Sequence, residues 1–272
     1  MSIVSAVILG IIQGLTEFLP VSSSGHLALA HHLFPALAPA EALTFDVLLH
    51  LATLAAVMLV YARDIAALLP AAFRLIGKLC RHRFSFSALD AEERMVLCLL
   101  LATLPMALAL PFDTAIEALA SHTKAVGLLL MANGLFLGLT DRFAAQRNEA
   151  LTPTRALTVG FCQLCAILPG LSRSGATVSG GRLCGFSREE AVRFSFLLSI
   201  PAILGANLMR LPTLVTEPPV PADRPAYLAG MLAAAVTGFF AMKLLRFLSK
   251  KADFSVFSLY CFLVGAIALF LR

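Results

Sequence analysis

Gln13 and Glu17 stand four residues apart in an otherwise apolar stretch, so they share one face of a helix, which Pro20 ends one turn after Glu17. A carboxylate at that depth is costly in lipid unless it has a partner or a task. Ser22, Ser23, Ser24 and Gly25 follow, ahead of a second half-helix that His26 is expected to begin. A helix N-terminus offers unpaired N–H groups, and with serine hydroxyls beside it such a terminus binds anions, phosphate above all. On its own a Ser-rich cap is weak evidence, but this one has a twin: Pro169-Gly170-Leu171-Ser172-Arg173-Ser174-Gly175, with Thr177 beyond. There Gly170 permits close backbone approach, Ser172, Ser174 and Thr177 supply hydroxyls, and Arg173 offers a planar fork to phosphate oxygens. Arg173 reads as a phosphate clamp, with a counter-ion to Glu17 as the blander alternative. His26 reads as a general acid or base, or as a cap at an interface.

Other polar residues invite plainer readings. His31 and His32 fall at an expected outer loop, where water solvates them. Asp46 and His50 share a helical face and read first as a mutually satisfied pair, second as another polar layer around the site. Glu189 and Glu190 follow Phe186-Ser187 and read as cap and dipole residues of the next helix. Cys162 and Cys165 lack a second ligand pair, so packing is favoured over zinc or redox chemistry.

The elements that must hold these residues are membrane elements. Of the 272 residues 59% are hydrophobic and 14% charged, with a mean hydropathy of +0.88, against roughly 25% charged in a soluble domain. A water-soluble globule is excluded. The net charge of +5 calls for no nucleic acid, because the basic residues fall between apolar segments. The expected fold is all-α and polytopic, with six spans at Leu43–Tyr61, Met95–Pro111, Ala125–Thr140, Phe194–Arg210, Ala226–Leu245 and Phe254–Leu271. Two apolar regions are broken: Ser2–Leu19 resumes as His26–Leu37, and Ala156–Leu168 resumes in a segment ending near Phe186. Each half is too short to span, and a break in lipid must be buried in protein or line a wet cavity, so both are read as re-entrant hairpins. The first is not a signal peptide, since it lacks a basic start and runs on into Gln13, Glu17 and the serines.

The two broken regions match each other. Leu19-Pro20 recurs as Leu168-Pro169, Ser24-Gly25 as Ser174-Gly175, and Glu41-Ala42 with Phe45 and Leu48-Leu49 as Glu190-Ala191 with Phe194 and Leu197-Leu198, at offsets of 149, 150 and 149. Residues 1–150 and 151–272 then form two repeats of one hairpin and three spans within one membrane domain. Three spans invert the second copy, which is the plan of many transport folds. Charge agrees: Arg63, Arg74, Lys78, Arg81, Arg83, Arg94, Arg142, Arg147, Arg155, Arg188, Arg193, Arg246, Lys250 and Lys251 fall on one face, and little beyond Lys124, Arg210, Arg224 and Arg272 on the other. The basic face is cytoplasmic, which puts both termini and the first hairpin outside.

The stretches Gln13-Gly-Leu-Thr-Glu17-Phe-Leu-Pro20-Val-Ser-Ser-Ser-Gly-His26 and Pro169-Gly-Leu-Ser172-Arg173-Ser-Gly-Ala-Thr177 resemble the two signatures of the bacterial undecaprenyl pyrophosphate phosphatases, also called bacitracin-resistance proteins. Length, span count and repeat plan agree over the whole chain. The resemblance implies an enzyme of the bacterial plasma membrane, its active site opening to the outer face. Such an enzyme removes the terminal phosphate of undecaprenyl pyrophosphate and returns the monophosphate carrier to peptidoglycan synthesis, with bacitracin competing for that lipid. It also implies a divalent metal, Mg²⁺ or Ca²⁺, and leaves a homodimer open. Gln13 stands where some members have Glu, so a metal role here rests more heavily on Glu17. The residues converge on the same chemistry: Ser22, Ser24, Gly170, Ser172, Arg173, Ser174 and Thr177 bind the pyrophosphate, and Glu17 with Gln13 places a metal or orients a nucleophile. Ser23 or water is that nucleophile, Glu17 or His26 the base, and His26 a candidate proton donor. The alternative is a polyprenyl-phosphate transporter or flippase, which would bind the same head group without needing Glu17 and His26.

Overall fold

The computed structural model describes residues 1–37, 42–82, 84–145, 147–216, 221–251 and 253–271. Glu41, Arg83 and Arg272, which enter the repeat match and the charge bias, lie outside them. Among the described residues every regular element is helical: α1 Ile3–Phe18, α2 Ser23–Leu33, α3 Ala42–Val60, α4 Ala62–Cys80, α5 Ala91–Thr103, α6 Asp113–Ala120, α7 Thr123–Phe143, α8 Pro153–Cys165, α9 Arg173–Leu183, α10 Arg188–Thr216, α11 Arg224–Lys251 and α12 Ser255–Phe270.

The first break falls where expected; the second opens three residues early, α8 ending at Cys165 rather than Leu168. α1 stops two residues before Pro20, and α8 opens on Pro153, whose missing N–H costs nothing in a first turn, under a Thr152 cap. The restart differs by three residues from the reading of the sequence: α2 begins at Ser23, not His26, because Ser22 is its N-cap and accepts from the Gly25 amide at 3.3 Å. Glu190 caps α10 as expected, exchanging hydrogen bonds with Ser187. His31 is half-buried in the last turn of α2 rather than solvated in a loop.

Among the described residues four stretches are long and apolar enough to cross a membrane: Ala91–Phe112, Thr123–Phe143, Arg188–Arg210 and Pro221–Lys251. A fifth is α3, if counted with α4, from which it is bent by 90°. The expected last span, α12, has 16 residues, about 24 Å at the α-helical rise and short of a hydrocarbon core of about 30 Å. The second span ends as a 3-10 helix, Leu104–Phe112, containing Pro105 and Pro111.

α4 was not foreseen, because its charges mask its apolar residues. At 100° per residue its side chains fall into three stripes. Ala71 and Leu75 are buried, with Ile65 and Leu68 packed on the core; Leu69, Phe73 and Ile76 are exposed; Arg63, Arg74 and Lys78 form the third stripe. Lys78 bonds Glu93 at 2.5 Å and Arg74 bonds Asp90 at 2.9 Å, tying α4 to the capping box that starts α5. The Glu93 amide, and then Arg74, hold the Asp90 carboxyl below its ordinary range.

Helix pairing follows small residues. α1 packs along α11 and α7 along α12, while α8 packs on α5, and α3 on both α10 and α11. A Cβ on Gly230 would meet the Ala6 carbonyl at 2.8 Å, so α1 and α11 approach to backbone contact. Below the site, Phe18 meets Phe196 edge-on at 5.7 Å and Tyr61 meets the same ring at 5.8 Å. Those rings anchor the residue next to Glu17 in the main core.

Candidate active site

Glu17 lies in the last turn of α1, 6% exposed, with four polar side chains on its carboxylate. Gln13 Nε2 donates to Oε2 at 3.1 Å and Ser23 Oγ donates to the same oxygen at 2.7 Å. His50 Nε2 stands 3.6 Å from it, and Arg173 Nη2 donates to Oε1. Ser23 is the first residue of α2 and Arg173 the first of α9, so the two half-helix N-termini are drawn to one carboxylate. Positive dipole ends and a guanidinium there favour an anionic ligand.

Loop geometry sets this convergence. Gly170 has φ +111°, a left-handed conformation that glycine adopts without strain, and a Cβ on it would meet the Val126 carbonyl at 2.6 Å. Ser22 also has positive φ, 73°, and is 2% exposed; backbone strain of this kind costs on the order of 1–3 kcal/mol and persists where its surroundings enforce it.

The candidate hydroxyls divide. Ser23 faces Glu17, and Ser24 is exposed at the mouth of the first hairpin, 3.4 Å from Ser22 Oγ. Ser172 Oγ accepts from the Gly175 amide at 3.1 Å, Ser174 Oγ donates to the Leu19 carbonyl at 3.1 Å, and Thr177 Oγ1 lies 2.6 Å from Ser195 Oγ. All three are buried; Ser174 joins the two hairpins, Ser172 caps α9, and Thr177 ties α9 to α10. His26 is set apart from the carboxylate: Nδ1 bonds the Ser22 carbonyl and Nε2 the Tyr260 hydroxyl, each at 2.8 Å.

Two contributors escaped the sequence reading, Asn133 and Tyr260. His50 takes the second of its two readings, a polar layer around the site: its Nδ1 bonds the Asp46 main-chain oxygen at 2.8 Å and its other nitrogen turns to Glu17. Asn133 of α7, 1% exposed, donates to the Pro20 carbonyl at 3.0 Å and accepts from the Ser172 amide at 3.0 Å, one side chain bridging both hairpin loops. An Asn inside an apolar span is itself a signal that could have found it. Tyr260 of α12 carried no such signal.

Gln13 Oε1 is buried with no hydrogen-bond partner, an acceptor left over beside Glu17. Among the described residues no three His, Cys, Asp or Glu side chains gather as a metal site. A carboxylate and a spare amide oxygen suit a cation whose remaining ligands come from bound phosphates and water.

A family model described as bacitracin resistance protein BacA matches residues 6–267. The undecaprenyl-diphosphatase of Methanobrevibacter smithii is 40% identical over 272 residues, covering 98% of this chain and 96% of its own length. That of Desulforapulum autotrophicum is 38% identical over 99% of this chain and 98% of its own, and that of Korarchaeum cryptofilum 38% over 97% of each.

Proposed function

The chain belongs to the bacitracin resistance protein BacA family, and we infer on that premise that it is a membrane-bound undecaprenyl-diphosphatase, hydrolysing undecaprenyl diphosphate to undecaprenyl phosphate and inorganic phosphate. One observation carries the assignment to a site: the Glu17 carboxylate takes the Ser23 hydroxyl on one oxygen and the Arg173 guanidinium on the other. A carrier of the same lipid needs the cation but not a hydroxyl aimed at a base. The relatives are hydrolases by name, and nothing among them favours transport.

The 2.7 Å bond supports Ser23 over water as nucleophile. Its Oγ attacks the terminal phosphorus, its proton passes to Glu17, and the bridging P–O bond breaks to release undecaprenyl phosphate, a leaving group already stable as an anion. Water then attacks the phosphoserine, giving a proton to His26 Nε2, while Ser23 Oγ recovers its proton from Glu17 and inorganic phosphate departs. Arg173, the free amides at the starts of α2 and α9, and Ser24 counter the charge on the phosphoryl oxygens. Ser22, Gly170, Ser172, Ser174 and Thr177 serve by shaping the two loops that present those donors. Glu17 and Gln13 Oε1 would hold Mg²⁺ or Ca²⁺, which when bound adds positive charge against the diphosphate.

We read the topology as six spans and two re-entrant hairpins in inverted repeats, residues 1–150 and 151–272. The pairing of α1 with α11 and of α8 with α5, and of α3 with α10 and α7 with α12, supports that symmetry. The basic stripe of α4 supports a cytoplasmic position for that end, with the hairpin carrying Glu17 entering from the outer face of the plasma membrane. Bacitracin would compete there for the lipid diphosphate. The test is phosphate release from undecaprenyl diphosphate by purified protein in detergent, where transport cannot be scored. Release supports hydrolysis; tight lipid binding with no release would return the reading to a carrier.

A further inference from the structure

We propose that Tyr260 is a positioning residue for the phosphatase reaction, holding the His26 ring so that Nε2 is the nitrogen that exchanges a proton. The proposal rests on the reading of His26 as part of the site. His26 Nδ1 lies 2.8 Å from the Ser22 main-chain oxygen, and a carbonyl can only accept, so Nδ1 carries the hydrogen. In the neutral ring Nε2 is therefore the acceptor, and the Tyr260 hydroxyl, 2.8 Å away, is the donor. The two rings are nearly parallel, 6° apart, with centroids at 5.5 Å, so α12 fixes the plane of the imidazole. The Ser22 carbonyl is itself held by the strained N-cap of α2.

Two features make this more than packing. A phenol oxygen both donates and accepts, so Tyr260 donates to Nε2 while the ring is neutral and accepts from Nε2–H once the ring is protonated. The contact survives both protonation states, which a phenylalanine cannot offer. Ser23 and His26 are also three apart in α2, on one helical face. Tyr260 comes from the second repeat, 234 residues away, and is 42% exposed.

Tyr260→Phe keeps the ring and removes the hydroxyl. Turnover of undecaprenyl diphosphate should fall about tenfold, the scale of one lost hydrogen bond, with KM and melting temperature close to wild type. Nitrogen-15 spectra of His26, assigned by the signals missing from His26→Asn, should show an Nδ1–H tautomer in both proteins, with the Nε2 signal moved downfield in Tyr260→Phe by loss of the phenol hydrogen bond. The spectrum does not depend on activity. Wild-type turnover with an unchanged Nε2 signal in Tyr260→Phe, alongside a His26→Asn variant that has lost turnover, would overturn the role of Tyr260 alone. Wild-type turnover in His26→Asn would instead remove His26 from the reaction, and Tyr260 with it.

Discussion

Arg173 of α9 donates a hydrogen bond to Glu17 of α1, 156 residues earlier in the chain. Arg173 is the counter-ion of Glu17, and it stands at a helix N-terminus, 18% exposed; the phosphate clamp is the proposed second role. Glu17→Gln and Arg173→Lys are therefore not equivalent changes. The first leaves a largely buried guanidinium unpaired, whereas the second keeps the ion pair and loses the fork.

Arg173→Lys should melt near wild type yet turn over at least about tenfold more slowly, because a single ammonium cannot grip two phosphoryl oxygens. Steady-state kinetics with a thermal melt checks it. Unchanged kcat and KM would reduce Arg173 to a counter-ion.

Asn133→Ala should lower stability by about 1–2 kcal/mol, since the Pro20 carbonyl and Ser172 amide lose their partner in the interior. Turnover should fall with it, because the loops bearing Ser23 and Arg173 lose their shared brace. A thermal melt and a phosphate assay on one preparation test both. Asn133→Asp, which keeps the acceptor for Ser172, should recover part of the activity.

Ser23→Ala should abolish formation of an acid-stable phosphoprotein from substrate labelled at the terminal phosphate, and slow turnover by about 10²-fold or more. Normal turnover in this variant would give the nucleophile's place to water.

Single cysteines at Arg81 and Ala222, in a cysteine-free background, should react with an impermeant reagent from opposite sides of the membrane. Labelling from one side would contradict the inverted repeat and the outward placement of the first hairpin.

Both hairpins were legible because their causes are local: Pro20 stops α1, Pro169 sits in the turn after α8, and serines restart the helices. Glu17 and Arg173 stood out because an ionisable group in lipid needs a reason. What was not legible depends on contacts distant in sequence. His50 sits four residues from Asp46, and that spacing favours a closed pair over a polar layer around the site, while its actual partner Glu17 lies on another helix. Tyr260 and Asn133 reach the hairpins from 234 and 113 residues away. α4 hid for a different reason: three stripes at roughly 120° average to a modestly apolar segment, and its charged residues Arg63, Asp64, Arg74 and Lys78 keep it from reading as a span.

The most direct test is phosphate release by purified Glu17→Gln protein acting on undecaprenyl diphosphate in detergent, scaled to the folded fraction. Gln keeps the volume but neither takes the Ser23 proton nor holds Arg173 by charge, so turnover should fall by about 10²-fold or more, the scale of a positioned acid–base group. Turnover within twofold of wild type would contradict the placing of the reaction at this carboxylate.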